Sequence, residues 1–186
     1  MKAISKALLL ARLEAQIEVQ LQTVTGRFQN LNEAQLLKPA AGGGWSMIQC
    51  LEHLNSYGRY YLPAIAQGLQ HSTPGSSAAA TFSSTWLGNY FTRIMQPGNT
   101  GKKYKAPKDH TPSREQDSTK VISEFIRQQE QLLDLVRSSA PYDLNKVRIP
   151  ISISRWIRLR LGDVFQFLLA HNERHLQQAL RQLEQV

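Results

Sequence analysis

Two histidines near the end of the chain have the spacing of metal ligands. His171 and His175 lie four residues apart in "LLAHNERHLQQAL", residues 168–180, a run rich in helix-forming residues. Residues four apart on a helix share one face, with their Cβ atoms about 6 Å apart, so both imidazoles can face one ion. Two ligands do not make a site, and the same spacing on a polar helix face is equally compatible with two solvated side chains.

His53 is the best candidate for a third ligand. It lies beside the apolar stripe of an earlier helix that we predict to begin at Ser46. Metal sites in four-helix bundles are formed by side chains on facing helices, so His53 can meet the other two imidazoles in the interior. Three histidines would leave coordination positions open for water or substrate, which is typical of a catalytic metal. Taken alone, His53 is more simply interpreted as a hydrogen-bonded structural residue.

The other residues that could bind a ligand have simpler interpretations. His71 and His110 fall in predicted loops, and we expect both to be exposed. Cys50 is expected to be a small buried side chain, although it lies one turn before His53 and could approach an ion. Trp45 is expected to pack on the start of the helix rather than on a ligand. The aromatic side chains further along the same helix are expected to pack in the core and at its rim: Tyr57, Tyr60 and Tyr61.

The periodicity of apolar residues predicts an all-α fold with four long helices. Ser46 and Gln49 have the spacing of a capping box at the start of the second helix, and Gln49 could alternatively support a ligand from behind. Asp163 falls in the first turn of the last helix, where a negative charge suits the helix dipole. The four predicted helices cover about residues 4–31, 46–69, 114 or 118 to 138, and 162–186.

The connections between these helices carry three further features. A short aromatic helix is predicted in "TWLGNYFTRIM", and the alternation in "ISISRWIRLRL" resembles a short strand. Residues 96–118 contain three prolines and lack periodicity, so we expect a long surface loop there.

Composition limits the class of protein. At 186 residues the chain fits one domain, residues 1–186, and we find no apolar run near the eighteen or so residues that a membrane span requires. The single cysteine and the lack of a signal-peptide pattern lead us to expect a cytoplasmic protein with no membrane partner. The net charge of +8 is concentrated in residues 100–114 and 146–160. The basic residues of these two segments are Lys102, Lys103, Lys105, Lys108 and Arg114, and Lys146, Arg148, Arg155, Arg158 and Arg160.

Two stretches resemble one known family. "GGGWSMIQCLEHLNSYGRYYL" resembles the second helix of the DinB/YfiT-like superfamily, which opens with Trp-Ser and carries a His-Leu pair. "LGDVFQFLLAHNERHLQQALRQL" is similar to the closing helix, with Leu-Gly-Asp before it and H-x-x-x-H-L-x-Q inside it. The resemblance covers both histidine-bearing helices and fits the four-helix layout. The chain departs from the family pattern between about residues 71 and 118.

The resemblance implies a four-helix bundle of up-down-down-up topology, to which this chain adds the predicted short helix and long loop in the middle connection. It also implies a nickel, zinc or iron ion on His53, His171 and His175, and a homodimer. Characterised members include S-transferases that use bacillithiol and isomerases that depend on mycothiol. A low-molecular-weight thiol is therefore an expected co-substrate, and a basic loop could hold an anionic thiol or substrate.

Three classes of function remain open from the sequence. The first is a divalent-metal-dependent enzyme, either a thiol-dependent S-transferase or a hydrolase. The second is a non-catalytic bundle for stress response or scaffolding in which the ion supports the fold. The third is binding of nucleic acid or another polyanion by the basic segments. We find no helix-turn-helix or other nucleic-acid-binding motif, so we expect no nucleic-acid partner.

Overall fold

Six helices and two small sheets make up the fold in the computed structural model, which describes residues 3–75, 78–98 and 105–183. The helices are α1 (Lys6–Arg27), α2 (Glu33–Leu37), α3 (Met47–Gln70), α4 (Trp86–Met95), α5 (Ser118–Ser138) and α6 (Leu161–Leu183). The strands are β1 (Ile4–Ser5), β2 (Thr81–Phe82), β3 (Arg148–Ile151) and β4 (Ser154–Arg160), and a 3₁₀ turn covers Lys108–His110. Within the described residues, no helix is both long and apolar enough to cross a bilayer.

The four long helices α1, α3, α5 and α6 form a bundle with the predicted topology. One apolar cluster joins the first halves of α1 and α6 to the second halves of α3 and α5. A second cluster joins the opposite halves of the same four helices. Helices α1 and α6 therefore run in one direction, and α3 and α5 run in the other. This arrangement confirms the up-down-down-up bundle, with α1 and α3 each packed between α5 and α6.

The start of α3 is fixed by the predicted capping box. The Ser46 hydroxyl accepts from Gln49 N at 3.2 Å, and Gln49 Oε1 accepts from Ser46 N at 3.0 Å. These two bonds satisfy backbone donors that the first turn of a helix leaves unpaired. The exposed amide nitrogen of Gln49 also donates to Ser113 O at 3.0 Å, which ties the segment before α5 to α3.

The first predicted helix is shorter in the structure than its periodicity indicated. Helix α1 ends at Arg27, and a separate short helix, α2, begins after Asn32. Asn32 and Gln35 form a second capping box, which defines a new helix start. The first helix was predicted to reach residue 31 because the apolar spacing continues through Phe28 and Leu31, and α2 was missed because its capping box was not recognised.

Asp163 connects α6 to the short helix α4. Its buried carboxylate accepts from the Ser84 hydroxyl at 2.6 Å, from Thr85 N at 3.1 Å and from the Thr85 hydroxyl at 2.8 Å. Gly88 provides the space for this contact, since a Cβ at that position would overlap the carboxylate. Asp163 was predicted only to complement the dipole of α6, but it also holds the start of α4 against the bundle.

The predicted strand is one half of a hairpin. Strand β3 pairs with β4 in antiparallel register, with Arg148 opposite Arg160 and Ile151 opposite Ser154. The hairpin packs along α3, where the Tyr60 hydroxyl donates to Ile151 O at 3.1 Å. The other sheet pairs β1 with β2, so these strands are small additions to a helical fold.

Candidate metal centre

The structure brings His53, His171 and His175 together. One potential ligand atom from each residue lies within 4.8 Å of those of the other two. His53 is carried by the second turn of α3, and the other two by successive turns of α6. His53 and His171 are buried, whereas His175 is half-buried. The cluster therefore lies between two packed helices, with His175 on its more open side.

The tautomer of His53 is fixed by a backbone carbonyl. Its Nδ1 lies 2.6 Å from His110 O, and a carbonyl oxygen can only accept a hydrogen bond. Nδ1 therefore carries the proton and donates it, which leaves a lone pair on Nε2. That Nε2 lies 3.1 Å from Nε2 of His171. A neutral imidazole with one nitrogen hydrogen-bonded and the other pointing at a neighbouring ligand is the usual form of a metal-binding histidine.

His175 is oriented in the same way by a side chain. Its Nδ1 donates to Oε1 of Gln178 at 3.0 Å, so its Nε2 also has a free lone pair. Gln178 is the glutamine of the H-x-x-x-H-L-x-Q pattern, one turn after His175 on α6. The sequence pattern contained this residue, and the structure shows its contact with the ring.

His171 is the most deeply buried of the three histidines. It is 2% exposed, and its Nδ1 is buried without a hydrogen-bond partner among the described residues. Because Nε2 of His53 is unprotonated, Nε2 of His171 donates to it at 3.1 Å in the metal-free protein, and Nδ1 is the nitrogen left unpaired. Binding an ion through Nε2 would require the proton of His171 to move to Nδ1. An unpartnered buried nitrogen of this kind calls for a functional explanation.

All three histidines are neutral at physiological pH. Burial lowers the pKa of His53 to about 4 and that of His175 to about 3. Burial and the neighbouring imidazoles hold the pKa of His171 well below its ordinary value. The Arg174 guanidinium next to them lowers the pKa of both α6 histidines further. Neutral imidazoles bind a cation without first releasing a proton from the charged form.

Aromatic rings enclose the cluster. The ring of Trp45 lies 4.8 Å from that of His53, so Trp45 packs on the histidines and not only on the helix start as predicted. The ring of Tyr57 lies 4.4 Å from that of His171, and the ring of Phe167 is stacked on His171 at 5.8 Å. Tyr57, expected to be a packing residue, therefore also forms a wall of the site.

The prediction that His110 is exposed in a loop was wrong. His110 is 7% exposed, and its ring is stacked on Tyr57 with centroids 3.9 Å apart. The sequence around it lacks periodicity, but the 3₁₀ turn lies against α3 and brings the residue inside. His71, by contrast, is exposed at the end of α3 as predicted.

Cys50 does not join the cluster. Its side chain is fully buried among apolar residues at the start of α3, and burial raises the pKa of its thiol to about 12. A thiol with so high a pKa stays protonated, which disfavours it as a ligand. The prediction of a small buried cysteine is confirmed.

The basic residues of the two charged segments differ in how far they are exposed to solvent. Lys102 and Lys103 lie outside the described residues, and Lys105 is exposed. Arg155 and Arg158 are exposed on the β3–β4 hairpin. Arg160 of the same hairpin is tied to the fold, since its Nη1 donates to Ser83 O at 2.6 Å.

The spacing of two of the three ligand atoms fits a divalent ion. Nitrogen ligands at about 2.0–2.1 Å from one ion lie roughly 3 to 3.4 Å apart, depending on the coordination geometry. The separation of 3.1 Å between the Nε2 atoms of His53 and His171 falls in this range. The donor set of three imidazoles suits zinc, nickel, iron and copper.

A four-helix bundle with histidines clustered between α3 and α6 is the architecture that the sequence resemblance implied. The sequence matches the DinB superfamily over residues 16–179, and the chain belongs to that superfamily. A similar solved structure is that of YfiT from Bacillus subtilis, with a TM-score of 0.58 and 13% sequence identity. The alignment covers 97% of this chain and 86% of the YfiT chain.

YfiT is described as a probable metal-dependent hydrolase with an unusual four-helix bundle topology. At this identity the similarity establishes a common fold. No curated protein matches the chain.

Proposed function

We propose that the chain is a divalent-metal-dependent hydrolase whose ion is held by His53, His171 and His175. The observation that carries this proposal is the convergence of three neutral imidazoles from two helices within 4.8 Å. Hydrogen bonds donated by the Nδ1 atoms of His53 and His175 support it, because they leave both Nε2 atoms available as ligands. The description of YfiT as a probable metal-dependent hydrolase agrees with this reaction class.

The chain supplies a prepared environment for the reaction. A divalent ion with open positions lowers the pKa of a bound water or thiol and polarises the substrate. Trp45, Tyr57 and Phe167 exclude bulk water from the inner side of the cluster. His175 lies on the side that solvent can reach, so we place the substrate entrance there. Zinc, nickel and iron remain the candidate metals.

The β3–β4 hairpin is our candidate for binding an anionic group of the substrate. Its turn contacts Tyr60 and Tyr61, which follow His53 by seven and eight residues on α3. At about 1.5 Å per residue this is roughly 11 Å along the helix axis. Arg155 and Arg158 are exposed there. The corresponding test is an Arg155→Ala/Arg158→Ala variant, which should raise KM for anionic substrates and leave neutral ones unaffected.

A thiol-dependent S-transferase is the alternative within the same site. Three imidazoles would leave a coordination position that a low-molecular-weight thiol could take in place of water. We also propose a homodimer, which is compatible with either reaction. The non-catalytic alternative differs in one measurable respect. A structural ion should contribute strongly to the melting temperature, whereas loss of an open catalytic ion should chiefly abolish activity.

The experiment uses metal-stripped protein reconstituted separately with zinc, nickel or iron(II). Each form is assayed against ester, amide and phosphoester substrates, and against electrophiles with and without low-molecular-weight thiols. The proposal expects hydrolysis that requires metal and is lost in the His175→Ala variant, with His71→Ala as the matched control. Turnover that requires a thiol would favour the transferase. No metal-dependent turnover in any combination would contradict an enzymatic role.

Binding of nucleic acid is tested separately by titration with single-stranded and duplex DNA. The proposal predicts no tight binding, and any weak binding should disappear as salt is raised. Tight, sequence-dependent binding that survives physiological salt would contradict it. Sedimentation analysis tests the proposed homodimer.

A further inference from the structure

We infer that His110 is a positioning residue that sets the orientation of His53 and thereby the affinity of the metal centre. The part of this inference that concerns metal affinity rests on the proposed function. His110 lies in the segment where the chain departs from the family pattern, between residues 71 and 118. It is not one of the three clustered histidines, and its role depends on both its backbone and its side chain.

The backbone of His110 performs the positioning. Its carbonyl oxygen lies 2.6 Å from Nδ1 of His53, a short and fully buried hydrogen bond. This bond selects the tautomer in which Nε2 of His53 is unprotonated. It also fixes the rotation of the ring, so that Nε2 lies toward His171. Partners of this kind behind a ligand typically change metal affinity by 10- to 100-fold when they are lost.

The side chain of His110 holds that carbonyl in place. The Ser56 hydroxyl donates its single proton to His53 O at 2.7 Å, so Nδ1 of His110 is the donor in its contact with Ser56 Oγ at 2.9 Å. On its other side the ring is stacked on Tyr57. The residue is thus anchored by a hydrogen bond and by an aromatic contact.

Both anchors lie on the same face of α3 as His53. Ser56 and Tyr57 follow His53 by three and four residues, the spacing that places side chains next to one another on a helix. The 3₁₀ turn therefore docks directly over His53. The bond from Gln49 to Ser113 holds the same segment one turn earlier on α3. The segment acts as a strap across the start of α3.

The test compares full-length wild type with His110→Ala, which keeps the backbone carbonyl but removes both anchors. Long-range ¹H–¹⁵N spectra of histidine-labelled, metal-free protein report the tautomer of His53. Competition with a chromophoric chelator reports the affinity for zinc. His71→Ala is the matched control, because this histidine is exposed at the far end of α3.

The inference predicts that wild type and His71→Ala have the proton of His53 on Nδ1, and that His110→Ala shifts it toward Nε2. The zinc dissociation constant of His110→Ala should rise by at least about tenfold. An unchanged tautomer together with an unchanged zinc affinity would overturn the inference. If wild type binds none of zinc, nickel and iron(II), the proposed function fails, and the tautomer comparison alone still decides whether His110 positions His53.

A second variant covers the case in which His110→Ala does not fold. Ser56→Ala removes only the hydroxyl anchor and leaves the stacked ring, and alanine is well tolerated in a helix. It should shift the tautomer in the same direction by a smaller amount. A Ser56→Ala protein with the wild-type tautomer and zinc affinity would overturn the inference in that case.

Discussion

Replacing His171 with leucine should abolish metal binding and leave the stability of the metal-free protein nearly unchanged. The His171 side chain is 2% exposed, and its Nδ1 has no hydrogen-bond partner in the described part of the chain. A buried polar group left unpaired costs about 1–3 kcal/mol. Leucine removes this cost and packs against Phe167 and Tyr57, but it also removes the donor to Nε2 of His53 and leaves that buried nitrogen unpaired. The two costs are of similar size, so the net change should be within about 1 kcal/mol, or about 4 °C in melting temperature for a chain of this length.

The assay is thermal unfolding in the presence of a chelator and then with excess zinc. Without metal, His171→Leu should unfold within about 4 °C of wild type. With zinc at about 100 times its dissociation constant, wild type should gain about 2.7 kcal/mol and the variant nothing. The control is His71→Leu, an exposed substitution that should change the unfolding free energy by less than about 0.5 kcal/mol.

Two results would refute this reasoning. If the metal-free variant were less stable than wild type by more than about 3 kcal/mol, His171 would be a structural residue whose contacts hold the fold without an ion. If the variant kept the full zinc-induced stabilisation, His171 would not be a ligand. Either result requires that the control behave as expected.

Three further predictions concern the scaffold. Burial raises the pKa of Cys50 to about 12, above its ordinary value of 9.0. The neutral buried thiol therefore contributes fully to stability below pH 9, and this contribution is lost as the pH rises from 9 toward 12. Iodoacetamide at pH 8 should therefore label Cys50 only after unfolding, and rapid labelling of the native protein would contradict its burial. Gly88→Ala should lower the free energy of unfolding by about 1–3 kcal/mol, since its Cβ would overlap the Asp163 carboxylate. The matched control is Gly26→Ala, whose added Cβ meets no atom within 4 Å. In calorimetry it should raise the free energy of unfolding by up to about 1 kcal/mol. Equal effects of the two substitutions would contradict the close packing of Gly88 against Asp163. Ser46→Ala should cost about 1 kcal/mol in urea unfolding through loss of the capping box, and a change below about 0.3 kcal/mol would count against it.

Local signals in the sequence were sufficient to predict most of the helical framework. The capping box at Ser46 and Gln49 fixed the start of α3, because both hydrogen bonds lie within four residues of sequence. The same kind of signal at Asn32 and Gln35 was overlooked, so α2 was not predicted. The fold class followed from periodicity and from the resemblance together.

The surroundings of the candidate site depended on long-range contacts and were not predictable. His110 meets His53 across 57 positions of the chain, and its flanking residues have no periodicity that would indicate burial. The packing of Trp45 on His53 and His175 likewise depends on how α3 and α6 come together. The proximity of the three histidines agrees with the sequence analysis, and their role as ligands is still a prediction.

The most direct test of the account is the metal content of protein purified without a histidine tag. Elemental analysis would compare wild type, His53→Ala and His171→Ala, with His71→Ala as the control. The account predicts close to one divalent ion per chain in wild type and in the control, and loss of that ion in the other two variants. A wild-type protein that holds no metal after incubation with zinc, nickel or iron(II) would contradict it.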